Sequence, residues 1–178
     1  MELTEKTLHS ETIFEGKVIT VKKLSVRLPD GKEGYREIVE HNGGVCIAPL
    51  TEDNKLIFVR QFRAPYQEET LEIPAGKLEK GEDHSEAWKR ELKEETGCTA
   101  GKYEYLGITY PTPGYCGEKL YLYLAKELTK SSQDLDDDEF LNVEEIEIEK
   151  ALEMVMSGEI KDSKTQIAVL KVARILGI

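Results

Sequence analysis

The sequence predicts an α/β fold: a mixed β-sheet with helices on both faces, preceded by an N-terminal β-hairpin region. Strand-like segments come first, one helix stands mid-chain, and two helices close the chain, the order of a sheet covered from either side. With 178 residues and a hydrophobic share of 39%, the chain is long and apolar enough for one proper core and hardly for two. Its apolar runs are short and bounded by turn residues, as buried strands are.

The elements follow in order. VITVKKLSVRL (Val18–Leu28) alternates with period two and ends at the turn signal PDGK, and YREIVEH (Tyr35–His41) returns as its partner. VCIAPL (Val45–Leu50) and KLIFVRQF (Lys55–Phe62) read as buried sheet. A helix follows EIPAGKLEKGE. Asp83 is its expected N-cap, Glu86 completes a capping box, Gly97 is the stop, and Ala87, Trp88 and Leu92 form the buried side. Strands are expected at Tyr103–Tyr110, Lys119–Ala125 and Val143–Ile148, and helices at Lys150–Met156 and Ser163–Leu176. The region 1–41 reads as an N-terminal strand or hairpin region and 42–178 as the main domain.

Composition narrows the function. A net charge of −11 without a basic stripe argues against nucleic acid. No apolar run approaches the roughly 18 residues of a membrane span, and MELTEKTLHSE lacks a signal-peptide core. Cys46, Cys98 and Cys116 lack metal-ligand spacing and read as small apolar residues of a reducing cytoplasm.

The stretch RELKEETG (Arg90–Gly97) sets the central question, because Glu91, Glu94 and Glu95 crowd into about one helical turn. Like charges at that spacing repel by roughly 0.2–0.5 kcal/mol per pair. One explanation is a solvated face of ion pairs, Glu86–Arg90 and Arg90–Glu94 among them. The other is a divalent cation: Glu91 and Glu95 lie about 40° apart around the helix and can converge on one point. Mg²⁺ takes oxygen ligands and is shared between carboxylates and substrate phosphates.

The wider pattern decides. Gly76–Cys98 reads G-x5-E-x7-R-E-x-x-E-E-x-G, with Gly76, Glu82, Arg90, Glu91, Glu94, Glu95 and Gly97 in the fixed positions. This resembles the Nudix box, the signature of hydrolases that cleave a nucleoside diphosphate linked to another group. Cys98 stands where a larger aliphatic residue is usual. LEIPAG (Leu71–Gly76), Pro113 fifteen residues after Cys98, and the DDDEFLNVEEI and GEIKDSKT segments further resemble the ADP-ribose pyrophosphatase branch.

The resemblance implies a Nudix-type α/β/α sandwich and hydrolysis of ADP-ribose to AMP and ribose 5-phosphate with Mg²⁺, or Mn²⁺. It makes Glu91 and Glu95 the main metal ligands, joined by Glu82, Glu94 and the carbonyl of Ala75, with Arg90 orienting a box glutamate. Glu139 is the first choice for general base and Asp137 the second. Arg63, then Arg60 and Arg36, are expected at the diphosphate. Glu72 is expected near the adenine or ribose, Pro113 in the substrate pocket, and Glu118 near the metals. Tyr110, Tyr115 and Phe62 are stacking candidates that could equally be core, whereas His9, His41 and His84 read as surface or capping residues. The branch also implies a homodimer built by the N-terminal strands. An ADP-sugar, NADH or a dinucleoside polyphosphate stays open as substrate, as does a nucleotide-sensing module that does not cleave.

Overall fold

A computed structural model describes residues 2–137 and 139–178; Met1 and Asp138, the latter inside the acidic run 134–139, lie outside the described residues. The chain forms two compact units, residues 1–43 with 110–119, and residues 44–109 with 120–178.

The first unit is an antiparallel sheet of β1 (Lys6–Glu15), β2 (Thr20–Arg27) and β3 (Glu33–Glu40) in the order β1-β2-β3. The expected hairpin is therefore its second and third strands. β1 is exposed along its whole length and slips register between Thr7 and His9 and between Thr12 and Phe14. The segment 110–119 joins through Val39, whose N–H donates to Tyr115 O (2.8 Å) and whose carbonyl accepts from Gly117 N (2.8 Å).

The second unit contains two sheets where one mixed sheet is expected. In the first, β7 (Ala75–Lys77), β4 (Gly44–Pro49), β9 (Leu120–Lys130) and β8 (Cys98–Thr109) lie in that order. β4 and β9 run parallel, and the other two pairings are antiparallel. In the second, β5 (Lys55–Arg63) is flanked antiparallel by β10 (Leu141–Glu147) and β6 (Glu68–Glu72).

β4 is buried at all six positions. Cys46 and Ala48 point into a cluster with Phe58, Leu124, Ile148, Val169 and Val172, the last three from α2 (Ile148–Ser157) and α3 (Ser163–Leu176). Val45 and Ile47 point the other way, onto Ala87, Trp88 and Leu92 of α1 (His84–Thr96). A strand buried on both faces loses the polar half of its alternation, so VCIAPL reads as a continuous apolar run. Helices thus cover both faces of this unit, the predicted α/β/α arrangement.

α1 begins at Asp83, whose carboxylate accepts from Ser85 N (2.8 Å), and stops at Gly97, at φ 68°. The expected capping box does not form, because Glu86 pairs with Lys89 (2.7 Å) and so also leaves Arg90. His84 is neither a cap nor a surface residue: its ring stacks on Tyr121 at 3.8 Å and its Nδ1 lies 2.5 Å from the Tyr123 hydroxyl. α3 is capped by Asp162, which accepts from Thr165 N (2.9 Å).

Candidate active site

The strip Glu72–Gly76 leaves β6, enters β7 and runs beside α1. Two contacts fix the box glutamates to it. Ala75 N–H donates to Glu95 Oε2 at 2.9 Å. Glu91 lies against Gly76 so closely that a Cβ there would stand 1.8 Å from its Cδ. Gly76 is thus required by space rather than by its backbone angles: the Glu91 carboxyl fills the volume a side chain would take.

Both glutamates are deeply buried, Glu91 at 7% exposure and Glu95 at 3%. Burial pushes the Glu91 carboxyl up to about 7; Arg90 works against that, and the charges of Glu94 and Glu139 add to it. Burial pushes Glu95 up to about 8, opposed by the Ala75 N–H and by Lys164 and reinforced by Glu91 and Glu139. Acidic groups that resist ionisation side by side are relieved by a positive ion. Oxygen-only donors suit Mg²⁺ or Mn²⁺, which retain waters and need few protein ligands. Among the described residues no three or more His, Cys, Asp or Glu side chains gather to hold a metal ion by themselves. The residues fit such an ion.

Arg90 is the hub of the outer ring. Its guanidinium pairs with Glu91 Oε1 (2.8 Å), Glu94 Oε2 (2.7 Å) and Glu82 Oε1 (3.2 Å). Glu82 also accepts from Glu79 N at 2.9 Å, closing the loop before the helix. Ala75, whose carbonyl is the expected metal ligand, also fixes Glu95 through its N–H.

The acidic loop is tethered to the end of α1. Ser131 N–H and Oγ–H donate to Gly97 O, Gln133 Nε2 donates to Glu95 O (2.5 Å), and Asp134 N donates to Glu94 O (3.1 Å). Asp137 and Glu139 follow, and the Glu139 charge acts on both Glu91 and Glu95.

The other sequence candidates have partners of their own. Arg63 forms a bidentate pair with Glu72 (2.7 and 2.6 Å), and Arg60 pairs with Glu144 (2.5 Å). Arg36 pairs with Glu5 and caps Tyr35 O (2.8 Å), and Glu118 lies 3.5 Å from His41, which accepts from Gly43 N; these belong to the first unit, as does Pro113. Tyr110, Tyr115 and Phe62 are exposed.

Glu72 is 2% exposed. Burial works to raise its pKa, but Arg63, Lys164 and Thr70 outweigh burial and hold it down to about 2. Lys164 and Thr165, the latter accepting from Ile73 N at 2.8 Å, were not among the sequence candidates. One signal does point to Lys164. A lysine in the first turn of a helix opposes the helix dipole unless an acid holds it there.

Residues 40–165 match the NUDIX domain, and residues 5–39 match the nucleoside diphosphate sugar hydrolase N-terminal domain. The chain belongs to the Nudix family. This Nudix protein is 46% identical to an ADP-ribose pyrophosphatase of Bacillus subtilis over 94% of the chain and 91% of that protein. It is 43% identical to a methanol dehydrogenase activator of Bacillus methanolicus, over 93% of the chain and 90% of that protein. A solved structure described as an ADP compounds hydrolase superposes with a TM-score of 0.86, covering 99% of this chain and 97% of that one at 23% identity, which establishes the shared fold.

Proposed function

We propose that this Nudix protein hydrolyses the pyrophosphate bond of ADP-ribose to AMP and ribose 5-phosphate, with Mg²⁺ as the preferred ion and Mn²⁺ as a substitute. The observation that carries the chemistry is the buried Glu91–Glu95 pair, clamped to the Ala75–Gly76 backbone and held back from ionising. The substrate choice is supported by the near-full-length similarity to the B. subtilis protein of that name.

A bound divalent cation neutralises charge on the phosphate oxygens and lowers the pKa of water. The chain's own residues do the rest. Arg90 and the Ala75 N–H hold Glu91 and Glu95 in orientation, so no reorganisation is needed when charge develops. Glu139 accepts the proton of the attacking water as its oxygen bonds to phosphorus and the bridging P–O bond breaks; the electron pair leaves with the departing phosphate. Its charge already acts at both glutamates, and Asp137 is the second choice. Arg63 contacts the diphosphate, with Arg60 in support, and Glu72 completes the substrate-binding set of the second unit; Arg36, Pro113 and Glu118, of the first unit, are assigned to substrate binding on the family resemblance alone.

Nucleotide sugars are the second substrate class. They are favoured by the N-terminal match to a nucleoside diphosphate sugar hydrolase domain and by 31% identity to a GDP-mannose pyrophosphatase of Enterobacter. We also assign a homodimer, supported by the fully exposed β1 with its outward Ile13 and Phe14. A cytoplasmic location suits three cysteines that form no disulfide.

The test is turnover of ADP-ribose with Mg²⁺ and with chelator, following AMP and ribose 5-phosphate, beside ADP-glucose, GDP-mannose, NADH and diadenosine polyphosphates. Metal-dependent cleavage fastest on ADP-ribose is expected. A faster nucleotide sugar would move the substrate, and binding without cleavage of any compound would make this a sensing module.

A further inference from the structure

Arg63 stands in an awkward position for a substrate ligand, because Glu72 already holds it in a bidentate pair. Glu72 is buried, and a buried carboxylate stripped of its partner is strongly unfavourable. An arginine so held should be unavailable to a second anion unless something else remains on the carboxylate when it leaves.

That something is present. Glu72 Oε1 accepts from Arg63 Nε and also from Thr70 Oγ1 (2.6 Å), while Oε2 accepts from Arg63 Nη2 and also from Lys164 Nζ. Each oxygen therefore keeps one donor after the guanidinium departs, and one of the two is a cation. Lys164 is itself fixed, with Nζ 3.0 Å from Asp162 Oδ2 and its side chain only 11% exposed. Arg63 is the member of the network that reaches solvent, at 39% against 3% for the Glu72 side chain. Arg63 is thus the cation that an incoming anion can reach, and Lys164 the one enclosed beside Glu72.

We propose that Lys164 is a positioning residue that makes Arg63 available to the diphosphate of the substrate. It serves as the resident counter-ion of Glu72, so that Arg63 can turn from Glu72 to a phosphate oxygen without stranding a buried charge. The inference rests on the reading of Arg63 as a diphosphate contact and deepens it. It predicts a defect in substrate binding rather than in chemistry. With Lys164 removed, Arg63 becomes the only cation on Glu72 and is locked there.

The experiment compares wild type, Lys164→Met, Lys164→Arg, Glu72→Gln and the Glu72→Gln/Lys164→Met double variant. It measures kcat and KM for ADP-ribose with Mg²⁺, the Kd of non-hydrolysable α,β-methylene-ADP-ribose, and folding by circular dichroism. Because the Lys164 charge also acts at Glu95, the assay is run at saturating Mg²⁺; there Lys164→Met should raise KM and Kd about 10-fold while kcat changes by no more than about 3-fold, the signature of lost binding. Lys164→Arg should recover most of the affinity. Once residue 72 is neutral, Arg63 is no longer held by charge, so Glu72→Gln and the double variant should share one KM. That comparison survives even if Lys164→Met alone fails to fold. Wild-type KM and Kd in Lys164→Met would overturn the inference, as would a KM penalty that persists when residue 72 is glutamine. A wild-type protein that neither cleaves ADP-ribose nor binds its analogue would overturn the substrate reading first, and the inference with it.

Discussion

At the scale of the residue, Gly76 and Glu91 share one volume. Gly76→Ala places a methyl group where the Glu91 carboxyl lies, 1.8 Å from its Cδ. The carboxyl must vacate the site, since the other side of the clash is backbone. Overpacking of this kind costs about 1–3 kcal/mol, but the larger effect is on catalysis, because Glu91 leaves the position from which its charge acts on Glu95. Turnover should fall by about 10²-fold or more, with melting temperature showing the fold intact; near wild-type kcat would refute Glu91 as a metal ligand. The two candidate bases separate in the same way. Glu139→Gln should lower kcat while Mn²⁺ affinity, read by electron paramagnetic resonance, is retained. Should Asp137→Asn prove the more damaging change, the base is Asp137.

At the scale of the element, Gly97 connects α1 to the loop that carries both acids. Its φ of 68° lies in the left-handed region, which costs a residue with a side chain roughly 1–2 kcal/mol. A Cβ would also stand 2.6 Å from Ser131 O. Gly97→Ala should therefore both destabilise the protein, as a lower denaturation midpoint, and loosen the 131–134 tether, as a kcat loss beyond that of a stability-matched variant elsewhere. A kcat equal to that of the matched variant would show that the tether does not place the base. This helix is also the element most legible in the sequence, since Asp83 and Gly97 mark its ends and the spacing of Glu91 and Glu95 encodes one face; α3, Ser163–Leu176, reads to the residue. β1 is not legible because KTLHSETIFE buries neither face and has no alternation to show. β8 begins right after the helix stop, at Cys98, where two glycines in GCTAGKYE resemble a loop. β6 and β7 are too short to leave a pattern. The Lys164–Glu72–Thr70 contacts are invisible for another reason: they join segments far apart in sequence, which only the folded packing of α3 against the 72–76 strip brings together.

At the scale of the whole molecule, the buried carboxylates make stability depend on pH and on metal together. Glu91 and Glu95, raised to about 7 and 8 from an ordinary 4.5, hold protons in the folded chain that the unfolded chain has already released. The folded state then binds more protons, so stability falls as pH rises from about 4.5 to about 8. Glu72 runs in the opposite sense. Its pKa is depressed to about 2, so its contribution is complete above 4.5 and is lost only as pH falls toward 2. The metal-free protein should melt at a higher temperature near pH 5 than near pH 8. Mg²⁺ should reverse the deficit, raising the melting temperature more at the higher pH, because an ion competes with protons for the same oxygens. The net charge of −11 also disfavours the compact state as carboxylates ionise, and Glu95→Gln separates the two causes. It leaves the general repulsion nearly unchanged but removes the group with the higher pKa. Scanning calorimetry with chelator should show a shallower fall between pH 5 and pH 8 in Glu95→Gln than in wild type, and a smaller Mg²⁺ shift at pH 8. If the two proteins fall in parallel, the pH dependence belongs to the acidic surface and not to the site.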